Sequence, residues 1–209
     1  MIRAVISDFG GVLTNPLLQA FVAYQEETGV DFRRLGEAMG RILDREGVHP
    51  LFELECGRWT EAEFCDRLEA ELGGDVSIME FQERYFANLH PNEPFIEYMR
   101  SLRGRGYRMA LLTNNVREWE PKWRAMIPSI DEIFEVIVDS GFVGMRKPDP
   151  RIYELTLERL GDVRAEECVF VDDLEINCEA ARELGMAAVQ FVDAEQAIPE
   201  VEAVLNGGG

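Results

Sequence analysis

Positive charge is scarce in this chain. Against 40 acidic residues stand 21 lysines and arginines, giving a formal net charge of -19 over 209 residues. A surface of that sign repels phosphate backbones and anionic lipid, which argues against a nucleic-acid or membrane-surface partner. Long apolar runs are missing as well: none approaches the ~18 residues that a membrane span needs. The chain enters its first strand at residue 2 with no leader ahead of it, so the cytoplasm is the expected compartment. Histidine is limited to His49 and His90, each followed by proline and read as a solvated loop position. The four cysteines, Cys56, Cys65, Cys168 and Cys178, show no paired metal-ligand spacing and no histidine at finger spacing. Free, largely buried thiols in a reducing compartment are expected. No internal repeat or low-complexity segment is present, and Gly207-Gly208-Gly209 reads as a flexible tail.

What the chain does have is an apolar content of 46%, enough for a sizeable core. Its length fits one large domain, or one core domain carrying an insertion. Short apolar strands (Val5-Ile6, 109–112, 136–138, 169–171 and 188–191) alternate with helical stretches, the pattern of a parallel sheet wrapped by helices. Asp149-Pro150 reads as an N-cap followed by proline in the first turn, opening a helix through about Leu160. A helix over 174–184 carries Ile176, Ala180 and Leu184 on one face and stops at Gly185.

From residue 15 to about 91 no strand is expected. Thr60 and Glu63 form a capping-box signature, after which Phe64, Leu68 and Leu72 line one helix face. Leu17, Leu18, Phe21 and Val22 do the same for an earlier helix. A helical block of this length far exceeds what a crossover needs. The expected division is an α/β core of residues 1–14 and 92–209 with a helical subdomain at 15–91. Pro16 and Pro91-Asn92-Glu93-Pro94 would be the hinges.

The first strand delivers Asp8 into Phe9-Gly10-Gly11, a loop where glycine lets the backbone turn beneath a ligand. In a parallel α/β sheet, ligands sit beyond the carboxyl ends of the strands. Two later strands also end in polar residues: Thr113-Asn114-Asn115 and Asp172-Asp173. Between them stands Arg146-Lys147-Pro148-Asp149-Pro150, a lysine in a rigid loop. Converging at one sheet edge, these supply a carboxylate nucleophile, hydroxyl and amide donors, an ammonium and two more carboxylates. That set suits phosphoryl transfer, with a divalent cation bridging nucleophile and substrate.

In these motifs the chain resembles the haloacid dehalogenase-like superfamily. Its four signatures occur in order as Asp8-Phe9-Gly10-Gly11-Val12, Thr113-Asn114, Lys147-Pro148 and Asp172-Asp173. The resemblance spans the whole chain, since the helical insertion matches that family's C1 cap. The stretches 146–150 and 171–177 look most like the N-terminal phosphatase domain of soluble epoxide hydrolase. The resemblance implies a Rossmann-like core and a Mg²⁺ cofactor held by Asp8, the Gly10 carbonyl, Asp172 and Asp173. It implies Asp8 as nucleophile, with Lys147 paired to it and to the phosphate. Thr113 and the Asn114 amide would hold the transferring group, and Asn177 would support the Asp172-Asp173 loop. The implied substrate is a small phosphorylated molecule, because a closed helical lid excludes macromolecules.

One position departs from the pattern. Phosphatases of the family carry a second aspartate two residues after the nucleophile, as general acid and then base, and this chain has Gly10. General acid–base help is worth about 10²–10⁴ in rate. The alternatives left open are a phosphatase favouring good leaving groups, a 2-haloacid dehalogenase, or a metal-dependent binding module without turnover. Two adjacent carboxylates at Asp172-Asp173 weigh against the dehalogenase. Cap contacts to substrate are expected around residues 49–55 and near Tyr24, while Trp119 and Trp123 are read as a face packing on the core.

Overall fold

The computed structural model describes residues 1–73, 78 and 81–207, so the last two glycines of the tail lie outside the described residues. The five expected strands all form: β1 (Ala4–Ser7), β2 (Arg108–Thr113), β3 (Val136–Asp139), β4 (Cys168–Asp172) and β5 (Ala187–Gln190). They make one parallel sheet in the order β3-β2-β1-β4-β5. β1 is therefore the switch point, with the chain wound to one side through β2 and β3 and to the other through β4 and β5. Ligand sites in open parallel sheets form at such a point, outside the carboxyl ends.

After β1 the chain runs through α1 (Leu17–Thr28), α2 (Phe32–Glu46), α3 (Pro50–Glu55), α4 (Glu61–Leu72) and α5 (Phe81–Ala87). Among the described residues between 15 and 90 no strand forms. The capping box on α4 is complete, with Thr60 and Glu63 satisfying each other's backbone N–H groups. This block has a core of its own, built around Tyr24, Leu35, Ile42 and Leu68. Its two connections are tied together. Thr14 and Pro91 form an isolated antiparallel bridge, and Asn92 N–H donates to Leu13 O while Asn15 N–H donates to His90 O, both at 2.9 Å.

The remaining helices are α6 (Glu93–Gly104), α7 (Glu120–Met126), α8 (Ile130–Ile133), α9 (Ser140–Val143), α10 (Pro150–Leu160), α11 (Glu175–Glu183) and α12 (Ala194–Leu205). Alternate strand residues serve opposite faces of the sheet. Val5, Leu111 and Val171 pack with α6, α7 and α12, whereas Ile6, Leu112 and Phe170 pack with α10 and α11. Burial on both faces is why these strands read as continuous apolar runs.

Two helix faces differ from expectation. On α11 the expected stripe is met in part: Ala180 and Leu184 are half-buried and pack on the core, but Ile176 is 58% exposed, and the buried residues are Asn177, Cys178 and Ala181. Polar anchoring sets that rotation, because Asn177 Nδ2 donates to Asp172 Oδ1 at 2.9 Å and Tyr153 Oη donates to Asn177 O at 3.0 Å. On α1 the buried residues are Ala20 and Tyr24, while Leu18 and Val22 are exposed. Leu17 and Phe21 of that helix are only partly buried and border a cavity.

Candidate active site

β1 delivers Asp8 directly into the loop, where its N–H donates to Val171 O of β4 at 2.8 Å. Asp8 Oδ1 accepts from Phe9 N–H at 2.7 Å and lies 2.8 Å from Lys147 Nζ. Among the described residues, Asp8 Oδ2 accepts no hydrogen bond. The two glycines that follow play different parts. Gly11 has φ +76°, and a Cβ there would sit 2.5 Å from Asp173 Oδ2, so both conformation and space require glycine. Gly10 has no positive φ, and a Cβ on it would meet the Leu17 methyls at 3.1 and 3.2 Å. Of the two glycines, the turn of the backbone needs only Gly11.

Lys147 is 1% exposed, yet its ammonium is well held. Nζ stands 2.5 Å from Asp172 Oδ2 as well as 2.8 Å from Asp8 Oδ1, bridging β1 and β4. Its main chain is clamped by Asn114, whose Oδ1 accepts from Lys147 N–H at 2.8 Å and whose Nδ2 donates to Lys147 O at 3.0 Å. These two hydrogen bonds occupy the Asn114 side chain and leave its backbone amide for a ligand. Thr113 is buried at the end of β2, and both residues line the adjoining cavity. Asp172 Oδ1 accepts from Leu174 N–H and Asn177 Nδ2, each at 2.9 Å.

Carboxylate oxygens of Asp8, Asp172 and Asp173 all lie within 4.8 Å of one another. Three carboxylates face one ammonium, which leaves the cluster short of positive charge. Burial pushes the Asp8 carboxyl up to about 8, with Lys147 opposing the shift and Asp172 and Asp173 adding to it. Burial, then the charge of Asp172, raises Asp173 to about 6. Burial alone would lower Lys147, but the charges of Asp172 and Asp8 raise it. The donor set is hard oxygen in a compact cluster with an excess of negative charge, which fits Mg²⁺ or a similar cation. The Gly11–Asp173 contact leaves no room there for a side chain that would close the cluster off.

Beside this cluster lies a cavity of about 570 Å³, walled by β-strand ends below and by α1, α2, α4 and α5 above. Of the expected 49–55 segment, Leu51, Leu54 and Glu55 reach it, whereas His49 and Phe52 do not. His49 is half-buried rather than solvated, stacked on Phe52 with centroids 4.3 Å apart. Tyr24 is absent from the cavity wall; it is 1% exposed inside the core of the helical block. Trp119 and Trp123 pack in the main core as expected and also border the cavity.

Three residues here escaped the sequence reading as site neighbours. Arg146 Nε pairs with Glu55 Oε2, a contact between residues 91 apart that no local pattern announces. Leu17 fills the space over Gly10. Tyr85 lies near enough to Asp8, Glu55 and Asp173 that their charges, added to burial, push its phenol up. Its spacing of four from Phe81 on α5 marked a helix face but not what that face overlooks.

The sequence model for haloacid dehalogenase-like hydrolases matches residues 2–185. The chain belongs to the haloacid dehalogenase-like hydrolases. It is similar to the rat (Rattus norvegicus) bifunctional epoxide hydrolase 2, with 27% identity over 98% of this chain. The chain spans 39% of that protein's length. A protein named as a phosphatase from Mycobacterium tuberculosis is 28% identical over 100% of this chain and 99% of its own length. Among solved structures, a family enzyme of Bacteroides thetaiotaomicron in complex with magnesium and inorganic phosphate is 27% identical with a TM-score of 0.71. That match covers 91% of this chain and 94% of the other. Among the described residues of this hydrolase, no helix is long and apolar enough to cross a membrane.

Proposed function

We propose that this hydrolase is a Mg²⁺-dependent phosphatase of a small phosphorylated metabolite, acting through an aspartyl-phosphate on Asp8, with residues 15–91 as its cap. The observation that carries this reading is the Lys147 ammonium held between Asp8 and Asp172, with Asp173 in the same cluster. Asp8, Asp172 and Asp173 would hold the metal together with the Gly10 carbonyl. When bound, Mg²⁺ offsets the charge of two anions so that a carboxylate and a phosphate can approach.

Asp8 Oδ2, which accepts no hydrogen bond among the described residues, is the oxygen that attacks phosphorus, and the bond from phosphorus to the ester oxygen breaks. Lys147, the Thr113 hydroxyl and the Asn114 amide neutralise the phosphoryl oxygens as charge spreads over them. Asn177 keeps Asp172 oriented toward Lys147. At residue 10 no side chain can protonate the departing oxygen, so the proton comes from water or the leaving group already carries negative charge well. Water then attacks the aspartyl-phosphate without a base at residue 10, which makes the second half-reaction slow.

The experiment is rapid-quench kinetics with an aryl phosphate and Mg²⁺. A burst of phenol equal to the enzyme concentration, absent in Asp8→Asn, is expected. Full turnover by Asp8→Asn, or equal steady-state rates for alkyl and aryl phosphates with no burst, would overturn the reading.

A further inference from the structure

The cavity beside Asp8 is apolar nearly throughout, and at about 570 Å³ it falls within the ~300–1,000 Å³ of small-molecule sites. Protein interiors are close-packed, with few voids larger than a water molecule. A space of this size among helices strips its wall atoms of contacts on one side unless a ligand supplies them. One end is polar and belongs to the site just described, at Gly10, Thr113 and Asn114. The other end reaches Leu35, Met39 and Leu68 inside the helical block. Leu17, Phe21, Phe64 and Phe81 line the path between them.

What the wall lacks is equally informative. Among the described residues, no lysine, arginine or histidine lines it, and its only carboxyls are Glu55 and Glu61. A second anionic group on the substrate would meet Glu61 and a Glu55 already paired with Arg146, with no lysine, arginine or histidine in the wall to hold it. Sugar hydroxyls would lose water over most of the wall, where away from residues 113–115 the polar side chains that are not carboxyls are Gln25, the Tyr85 hydroxyl and the Trp119 and Trp123 indoles, among the described residues. Leu17 carries the apolar surface to the phosphate end, occupying the space over Gly10.

We propose that the alcohol portion of the substrate is an uncharged apolar group, an alkyl or aryl chain, extending from the phosphate at Asp8 into this cavity. The proposal rests on the phosphatase reading for its reaction but not for its binding, and the test separates the two. Wild-type enzyme with Mg²⁺ is assayed on n-alkyl monophosphates from ethyl to dodecyl, beside glycerol phosphate and glucose phosphate. The matching n-alkylphosphonates, which cannot be hydrolysed, are titrated by calorimetry. Each added methylene is expected to raise kcat/KM, and phosphonate affinity, about fourfold until the cavity is full.

Turnover that is flat across the alkyl series, or that favours the sugar phosphate, overturns the proposal and leaves the phosphatase reading standing. Phosphonate affinity that climbs with chain length while neither the alkyl series nor an aryl phosphate is turned over supports the proposal and removes the phosphatase reading. Absence of both turnover and chain-dependent affinity overturns it. Met39→Trp, filling the far end, is expected to stop the gain at a shorter chain; an unchanged limit would overturn the placement of the chain.

Discussion

Arg146 Nε stands 2.6 Å from Glu55 Oε2, with side-chain exposures of 21% and 16%. The pair joins the loop that carries Lys147 to the last residue of α3, and it does not act alone. Ser140 Oγ donates to Glu55 O at 2.6 Å, and the Arg146 guanidinium lies 4.0 Å over the Phe52 ring. The proposed cap is thus pinned to the core one residue from the ammonium at the site. Arg146→Met leaves the Glu55 carboxylate enclosed without a partner. Breaking a fully buried pair costs ~3–5 kcal/mol; with part of each group in water, about 2 kcal/mol is expected. The double variant Arg146→Met/Glu55→Gln removes the stranded charge and should recover most of that loss in urea unfolding. If the double variant is as unstable as the single one, the pair does not have this role.

Lys147 offers a second test, because one ammonium serves two carboxylates. Lys147→Met is expected to lower kcat/KM by about 10²–10³, the scale for removing one preorganised donor from a reacting site. Lys147→Arg should not restore it, since a planar guanidinium has no room where the native side chain is 1% exposed. Near-wild-type activity in Lys147→Arg would mean that only positive charge matters there.

The sheet was legible because its strands are the chain's short apolar runs, and the three central ones, β1, β2 and β4, end in the polar residues gathered at the switch point. Asp8, Lys147, Asp172 and Asp173 stand together because three separate carboxyl-end loops share one edge. The orientation of α11 was legible only in part: Ala180 and Leu184 do pack on the core, but the bond from Asn177 to Asp172 turns a polar residue inward and leaves Ile176 in solvent. The cavity was hidden for a different reason. Leu17, Phe64 and Leu68 have the same spacing whether they face a neighbour's side chain or an open space. Glu55 and Arg146 meet only through tertiary packing, which no helical period encodes.

Cation binding can be read without turnover. Whatever binds only the folded chain stabilises it, by about 2.7 kcal/mol at a hundred times the dissociation constant. Mg²⁺ is therefore expected to raise the melting temperature of the wild type in a saturable way. Asp172→Asn should abolish that rise, and Asp173→Asn, the more exposed of the two, should weaken it. Chelator should return the wild type to its metal-free melting temperature. A rise of equal size in wild type and Asp172→Asn would assign the cation to another place.

Asp139 connects burial to pH. Burial pushes its carboxyl from 3.8 up to about 6, opposed by the Gly141 N–H, which donates to Oδ1 at 2.9 Å. The folded chain therefore holds this proton more tightly than the unfolded one. Between those two values stability falls as pH rises, and the full penalty applies above about 6. Asp139→Asn keeps the acceptor for Gly141 and cannot ionise. It should be more stable than the wild type at pH 7, by on the order of 2 kcal/mol, and show no advantage at pH 4. Urea unfolding at the two pH values checks this, and a constant difference would contradict it.

Gly10 is the position where a single substitution tests the chemistry most directly. Its backbone is compatible with any L-residue, and the Leu17 methyls crowd the new Cβ by only a few tenths of an ångström. Leu17 is at the end of a flexible side chain, so it can give way. Gly10→Asp supplies an acid for the departing oxygen and a base for the attacking water, which general acid–base catalysis values at about 10²–10⁴. The gain should be concentrated in alkyl phosphates, whose leaving groups need the proton, and the burst expected with aryl phosphates should shrink as the second step accelerates. Adding Leu17→Ala should enlarge the gain if crowding limits it, while shortening the apolar wall. Should alkyl turnover stay unchanged in both variants while Mg²⁺ binding is retained, the missing acid is not what limits this enzyme.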